Sequence, residues 1–384
     1  MLFEVYPLFE VCPVRGKGCY VFDKNDTPYL DLYGGHAVIS VGHSHPHYVS
    51  RLREQLAQLG FYSNSVQNPL QEAFAEKLLK ATQLTDYQLF MCNSGTEAIE
   101  NALKLASFQT GNKKVIAFRG CFHGRTSAAV NATDNAAIQA PLNRTFPVEH
   151  YRLNHDLDLI EKSLACGDTC AVLIEGIQGI GGIQVPEPAF LKRLERLCRA
   201  FNVPLILDEV QSGYGRTGRF FAFQYADIQP DIIAMAKGMG NGFPVGGILI
   251  HPKYKARHGL LGHTFGGNHL ACAAGLAVLE IFERENLVQK AAKTGQIFME
   301  ALAEIPEVKS VRGRGLMIGV AFDFPVKALR KTLVLEEKVF TGSSNAPEVL
   351  RLLPPLNIGE KELFIFIEKL KNALTRLSLT SIKK

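Results

Sequence analysis

A chain of 384 residues, 47% apolar and 21% charged, is long enough for a large domain and a smaller companion, with the balance of an ordinary soluble protein. Its formal charge of +5 comes from dispersed lysines and arginines rather than one basic element, which argues against a nucleic-acid partner. No apolar run approaches the ~18 residues needed to span a bilayer, so no membrane is expected as partner. Glu4 and Glu10 spoil the first residues as a signal peptide, and eight cysteines without a CxxC pair or zinc-like quartet fit a reducing cytoplasm.

The opening residues read as β and turn. Gly16 and Gly18 precede Tyr20-Val21-Phe22, a turn falls at Asn25-Asp26, and Tyr29 to Leu32 follows. From Tyr48 the apolar period becomes helical, with Val49, Leu52, Leu56 and Leu59 on one face. Strands and helices then alternate. Tyr87 to Cys92 is strand-like; Ser94 and Glu97 have capping-box spacing and open a helix to about Phe108, with Ile99, Ala102, Leu103 and Ala106 inward. Val115 to Phe118 and Ala171 to Ile174 are further strands. Phe190, Leu191, Leu194, Leu197, Cys198 and Phe201 mark an amphipathic helix that leads into a strand at Val203 to Leu207, and Asp231 to Met235 is another. After about Cys272 a helix runs through Leu287. A β-like piece covers Gly315 to Phe322, and a last helix occupies about Glu360 to Leu377.

Apolar strands without alternation, separated by helices, predict an α/β fold with a mostly parallel sheet covered on both faces. Residues 51–272 are expected to form the large domain. Residues 1–50 and 273–384, from the two ends of the chain, are expected to form a smaller α/β domain. Ligands on such sheets sit beyond the carboxyl ends of the strands. Asn93-Ser94-Gly95-Thr96, Glu175, Asp208 and Lys237 are each placed there, just after a strand.

Each of these residues has an ordinary reading as well as a chemical one. Lys237 follows a buried strand and precedes glycines; desolvation there would lower its pKa and free the amine for imine formation, although a lone lysine at a strand end can equally snorkel. Asp208 ends an apolar strand, as an N-cap or turn residue does and as an acid holding a ring nitrogen protonated would. Ser94-Gly95-Thr96 opens a helix after a strand, which suits a phosphate as well as a plain cap. In Phe122-His123-Gly124-Arg125 the aromatic could stack on a flat ring and the guanidinium could grip a carboxylate, or the two could be a core Phe and a surface Arg.

Taken together the chain resembles the class III aminotransferases of fold type I, over nearly its whole length. The resemblance is carried by YLDLYGGHAVISVGHSHP (29–46), NSGTEAIENALKLA (93–106), FHGRT (122–126), EGIQGIGG (175–182), LDEVQSGYGRTGRFFA (207–222), PDIIAMAKGMGNGFPVGG (230–247), HTFGGNHLACA (263–273), RGRGLM (312–317) and RLLPPL (351–356). Within the class it is most similar to the acetylornithine and succinylornithine aminotransferases of arginine metabolism. The resemblance implies pyridoxal 5'-phosphate held by Lys237 as a Schiff base, with Asp208 on the ring nitrogen. It implies Val210 and Phe122 on the two ring faces, Gln211 near the ring hydroxyl, and Ser94, Gly95 and Thr96 around the phosphate. Thr264 of a neighbouring copy would complete that phosphate site, which implies a homodimer with shared active sites. Arg125 would hold the α-carboxylate of the amino donor, His263 would touch substrate, and Arg351 would grip glutamate or 2-oxoglutarate.

One position departs from the pattern. Many relatives read EPIQGEGG, where the second acid neutralises the arginine at Arg351 while the first substrate is bound. Here Ile180 stands at that acid and Gly176 at the proline. An uncovered Arg351 is expected, and with it a preference for the succinyl over the acetyl substrate. His43, His45 and His47 form an HxHxH run, but Pro46 and the apparent lack of a nearby carboxylate cluster read as a structural turn, and no metal is expected. A PLP aminomutase or decarboxylase, another ω-aminotransferase, and a non-catalytic PLP-binding regulator remain as alternatives. Two carboxylate anchors favour transamination.

Overall fold

In this computed structural model residues 2–381 are described. The first strands are β1 (Pro13–Lys17), β2 (Tyr20–Asp23) and β3 (Pro28–Asp31), an antiparallel meander. Seven strands follow: β4 (Gln88–Cys92), β5 (Lys114–Phe118), β6 (Val148–Tyr151), β7 (Thr169–Glu175), β8 (Leu205–Asp208), β9 (Ile232–Met235) and β10 (Gly246–Ile250). The last strands are β11 (Ser310–Arg314), β12 (Met317–Ala321), β13 (Val339–Phe340) and β14 (Val349–Leu352).

The central sheet has the order β4-β10-β9-β8-β7-β5-β6. Strands β5, β7, β8 and β9 are buried along their whole length, because aliphatic runs with no polar alternation can only sit between two helical layers. All neighbours pair in parallel except β10, which runs antiparallel to both β9 and β4. The register sets Glu175 of β7 opposite Asp208 of β8, and Asp208 opposite Ala234 of β9. Two acids thus end neighbouring strands at the same height, instead of lying just beyond them as expected.

A second sheet, β1-β2-β3-β13, ties the two ends of the chain together, with β13 parallel to β3. A third, β11-β12-β14, is antiparallel and places Arg351 opposite Gly319. The helix Gly95–Thr110 opens on Ser94, whose hydroxyl accepts from the Glu97 amide at 3.3 Å. Glu97 in turn accepts from the Asn93 amide at 2.6 Å, one residue earlier than a capping box requires.

Several expected boundaries move. The strand expected from Val203 begins at Leu205, since Val203 donates back to the preceding helix at Cys198 and Pro204 has no amide hydrogen. Gly315 is the left-handed turn of the β11–β12 hairpin and not a strand residue. The helix after residue 272 starts at His269 and stops at Glu285; Asn286, at φ 52°, separates it from Leu287–Ala303. Several elements fall outside the expectations altogether, among them β6, β10, β11 and β14 and the helices Pro69–Thr82, Leu157–Leu164, Leu287–Ala303 and Lys327–Leu335. The apolar face expected on residues 48–59 is also not interior. In the helix Pro46–Gln58 only Tyr48 is buried, and Leu56 is 66% exposed.

The histidine run is a set of latches. His43 pairs with Asp31 at 2.8 Å, His45 with Glu285 at 2.8 Å, and His47 with Glu280. The carboxylates that seemed absent in sequence are supplied by distant elements. Among the described residues no cluster of His, Cys, Asp and Glu could hold a metal.

The helix Pro69–Thr82 packs on His269–Glu285 through Gly275. A Cβ at Gly275 would lie 2.5 Å from the Phe74 ring. Overpacking a filled core costs roughly 1–3 kcal/mol. Gly275→Val should therefore lower the thermal midpoint in calorimetry, while Gly262→Ala, with open space around its Cβ, should not. Equal midpoints would refute this packing account.

Candidate active site

A cleft of about 570 Å³ opens at the carboxyl ends of β4, β7, β8 and β9. This is the size of a small-ligand pocket, at the end of the sheet where such sheets bind. It brings together Ser94, Gly95, Thr96, Phe122, Arg125, Asp208, Val210, Gln211 and Lys237.

Lys237 follows β9 after one residue, with φ 49°. A lysine in the left-handed region is uncommon and is held there by its surroundings. Burial lowers its pKa, and Arg351 lowers it further, against the pull of Asp208 and Glu175. The result is an amine with a larger neutral, nucleophilic fraction than an exposed lysine has.

Asp208 is buried with both oxygens engaged. Its Oδ1 accepts from the Val210 amide at 3.0 Å, and its Oδ2 lies 2.7 Å from His123 Nδ1. Beside it, Glu175 accepts from the Phe122 and Gly179 amides, each at 3.2 Å. Burial pushes Glu175 up to about 8, opposed by His123 and reinforced by Asp208. Two adjacent acids thus differ in role: one faces an imidazole, and the other stays largely protonated at neutral pH.

Opposite them is the helix start. Exposed amides at 94–96 and the helix dipole make an anion cradle. A Cβ on Gly95 would lie 2.5 Å from Val210, so the helix start is pressed against the segment after β8. Thr96 Oγ1 accepts from the Arg125 and Thr126 amides at 3.3 Å, which ties the loop after β5 to the same cradle. The Arg125 guanidinium makes no ion pair among the described residues and lines the cleft.

Two expected residues, Arg351 and His263, are not brought into the cleft, and Thr264 is expected only from a neighbouring copy. Arg351 is only 1% exposed and is not uncovered: its Nη1 donates to Gln211 Oε1 at 3.1 Å and its Nε donates to the Ser343 carbonyl. Gln211 and Ser343 thus occupy the arginine expected to be bare. Burial brings the Arg351 pKa down to about 10. His263 lines a separate hollow, with its Nε2 2.7 Å from Asn101 Nδ2, and Thr264 lines neither cavity.

The cleft also contains residues given no role in sequence. His36 stands at its mouth, in a left-handed stretch with Gly34, Gly35 and Ala37. Its ring meets the Tyr33 hydroxyl, and its carbonyl accepts from Gln211 Nε2 at 3.2 Å. Burial and nearby cations bring the His36 pKa down to about 4. The Gly-Gly pair before it was the available signal. His123 lay inside a noted motif, but nothing in sequence linked it to Asp208.

The family Aminotransferase class-III matches residues 4–374 of this chain. The chain is 40% identical to the acetylornithine aminotransferase of Methanopyrus kandleri, over 97% of this chain and 96% of that one. It is 38% identical to the acetylornithine aminotransferase of Bacillus subtilis, over 98% of each. Among solved structures it is similar to an ornithine aminotransferase from Toxoplasma gondii, described with partial occupancy of PLP at its active site; the TM-score is 0.87 at 29% identity, covering 98% of this chain and 93% of that one.

The buried amine makes a direct prediction. A small aldehyde with borohydride at pH 7.5 should modify Lys237 ahead of the exposed lysines, by roughly tenfold for each pKa unit of depression. Peptide mass spectrometry reads the site. Preferential labelling elsewhere would contradict the electrostatics assigned to Lys237.

Proposed function

The chain belongs to the class-III aminotransferases, with the fold type I architecture, and we propose that it transfers the δ-amino group of an N2-acylated ornithine to 2-oxoglutarate, using pyridoxal 5'-phosphate on Lys237. The products would be the N-acylglutamate semialdehyde and glutamate, a step of arginine biosynthesis. The observation that carries this reading is the meeting of Lys237, Asp208 and the 94–96 helix start around one cleft.

The residues present fit the cofactor. The helix-start amides suit a phosphate, Asp208 suits a pyridine nitrogen, and a low-pKa lysine suits an aldehyde. When bound, pyridoxal phosphate supplies that aldehyde and a ring that withdraws electrons from the carbon bearing the amino group. The protein supplies the rest. Ser94, Gly95 and Thr96 would hold the phosphate end, Phe122 and Val210 would lie against the ring, and Gln211 would serve the ring hydroxyl once it leaves Arg351 or the His36 carbonyl. Asp208 would hold a proton on the ring nitrogen, and the Lys237 amine would carry a proton to and from the reacting substrate carbon.

Arg125 would hold the α-carboxylate of the acylated ornithine, and Arg351 that of glutamate or 2-oxoglutarate. For Arg351 to do so, Gln211 must give way. Ile180 lies on the cleft wall at the position where the EPIQGEGG pattern has the acid that would neutralise Arg351. A succinyl preference through Ile180 therefore requires Gln211 to leave Arg351, because the arginine is covered in this structure and not bare.

A homodimer with shared sites is part of the proposal. Thr264 and His263 lie off their own chain's cleft, near an exposed apolar set of Leu56, Phe61, Tyr62 and Phe265 that a second copy would cover. Thr264 of the second copy would reach the phosphate, and His263 the substrate. A cytoplasmic location fits cysteines that are all free. No described helix is long and apolar enough to cross a membrane.

A substrate panel scored by kcat/KM tests this reading, with N2-acetylornithine, N2-succinylornithine, ornithine, lysine and GABA as amino donors. An acylated ornithine should lead by at least tenfold, and a lead by free ornithine or GABA would overturn the assignment. Lys237→Ala should abolish turnover. Ile180→Glu should lower the succinyl-to-acetyl ratio severalfold by adding a like charge near the second carboxylate. A ratio already in favour of acetyl, and unmoved by this change, would remove the succinyl proposal.

A further inference from the structure

Lys237 heads a turn with little shape of its own. Residues 237–242 read Lys-Gly-Met-Gly-Asn-Gly, and a turn with glycine at every second position has a weak intrinsic preference for any one conformation. Yet Lys237 and Asn241 both adopt left-handed backbone, at φ 49° and 47°. An asparagine tolerates that region, whereas a lysine enters it only when its surroundings hold it there. Within the turn, the Met239 amide donates to the Ala236 carbonyl and the Gly240 amide to the Lys237 carbonyl, each at 3.1 Å.

The hold comes from a segment far earlier in the chain. The Ser40 hydroxyl donates to the Gly238 carbonyl at 2.8 Å, and the Tyr48 hydroxyl donates to the Gly240 carbonyl at 2.6 Å. In return Asn241 Oδ1 accepts from the Ser40 and Val41 amides at 2.8 and 3.0 Å, and its Nδ2 donates to the Gly42 carbonyl at 3.1 Å. Ser40, Tyr48 and Asn241 are all buried, so water does not compete for these bonds. The segment is backed from its far side, where the Leu356 amide donates to the Ser40 carbonyl at 2.8 Å.

We propose that Asn241, Ser40 and Tyr48 are positioning residues for Lys237: their clamp on the glycine-rich turn fixes the backbone from which its amine reaches the cleft. None of the three lines the cleft, so they act through the lysine.

The clamp has a chemical consequence. The titratable groups facing the Lys237 amine are Asp208 from β8, Glu175 from β7, Arg351 from β14 and His36 at the cleft mouth. Burial is what lowers its pKa most. A slack turn would let the amine find water, and its pKa would return toward that of an exposed lysine. That Lys237 carries the cofactor rests on the reading above, whereas the hold on its turn does not.

The test is trace acetylation of the cofactor-free full chain with acetic anhydride from pH 6 to 10, read lysine by lysine by peptide mass spectrometry. The pH profile separates the acidity of an amine from its accessibility. In Asn241→Gly, which keeps the left-handed backbone open, and in Ser40→Ala and Tyr48→Phe, which each delete one hydroxyl, the Lys237 midpoint should rise by at least about half a pH unit, roughly threefold in acid constant. Tyr87→Phe is the matched control. It deletes a buried hydroxyl-to-carbonyl bond of the same length, 2.6 Å to Pro230, at the opposite end of the strand that leads to Lys237. It should lower the thermal midpoint as Tyr48→Phe does and leave Lys237 unmoved. In the holoenzyme the pH midpoint of the cofactor's visible band should shift in the clamp variants and not in Tyr87→Phe; an unmoved band beside a shifted amine would overturn the clamp's service to the cofactor. An unmoved Lys237 midpoint in the clamp variants, or an equal shift in Tyr87→Phe, overturns the proposal, and an unmoved midpoint in one variant removes that residue from the clamp. A chain that binds no pyridoxal phosphate would sink the proposed function, while the acetylation profile would still decide this inference.

Discussion

The site depends on one buried carboxyl group whose two oxygens are both occupied. Asp208 ends a fully buried strand, where a lone ion would neutralise itself by taking up a proton. It remains an acceptor because the Val210 amide and His123 both meet it. The parallel register brings Glu175 to its flank, and that acid takes the protonated share of the pair. The depressed Lys237 and the raised Glu175 are two results of one cause: charge held in a place that water does not reach.

The fold serves this arrangement by collecting strand ends. Three parallel strands stop at the same level and deliver Glu175, Asp208 and Lys237 to one face. The antiparallel β10 completes the wall. A Cβ on Gly246 would lie 2.7 Å from the Ser94 carbonyl, so the glycine lets the helix start settle against the sheet. The small sheets bring Arg351 behind Gln211, and Gly35 and His36 to the cleft itself, from opposite ends of the chain.

Much of this was legible in sequence for a definite reason. Uninterrupted aliphatic runs such as Ala171 to Ile174 have one stable setting, and the chemistry must follow their carboxyl ends. The cleft residues from 94 to 96, 122, 125, 208, 210, 211 and 237 were placed by that rule together with the motif resemblance. What escaped were facts of distance between remote segments. The carboxylates of His45 and His47 sit more than 200 residues away in sequence. Gln211 reaches Arg351 across 140 positions, so the arginine that looked bare is covered. Leu56 and Leu59 have helical spacing but lie on a face that this chain alone does not bury; periodicity marks an apolar face without saying what covers it.

The Gln211–Arg351 contact changes how a two-substrate cycle can turn. An acid at this arginine would have to be pulled from a buried ion pair, whose rupture costs about 3–5 kcal/mol. An amide gives up a hydrogen bond worth about 0.5–1.5 kcal/mol net, or somewhat more because its donor is charged. Arg351 is therefore held by neutral partners, Gln211 and the Ser343 carbonyl, and by no ion pair among the described residues. If it takes a substrate carboxylate as proposed, the changeover breaks hydrogen bonds and no salt bridge, so it should depend little on ionic strength.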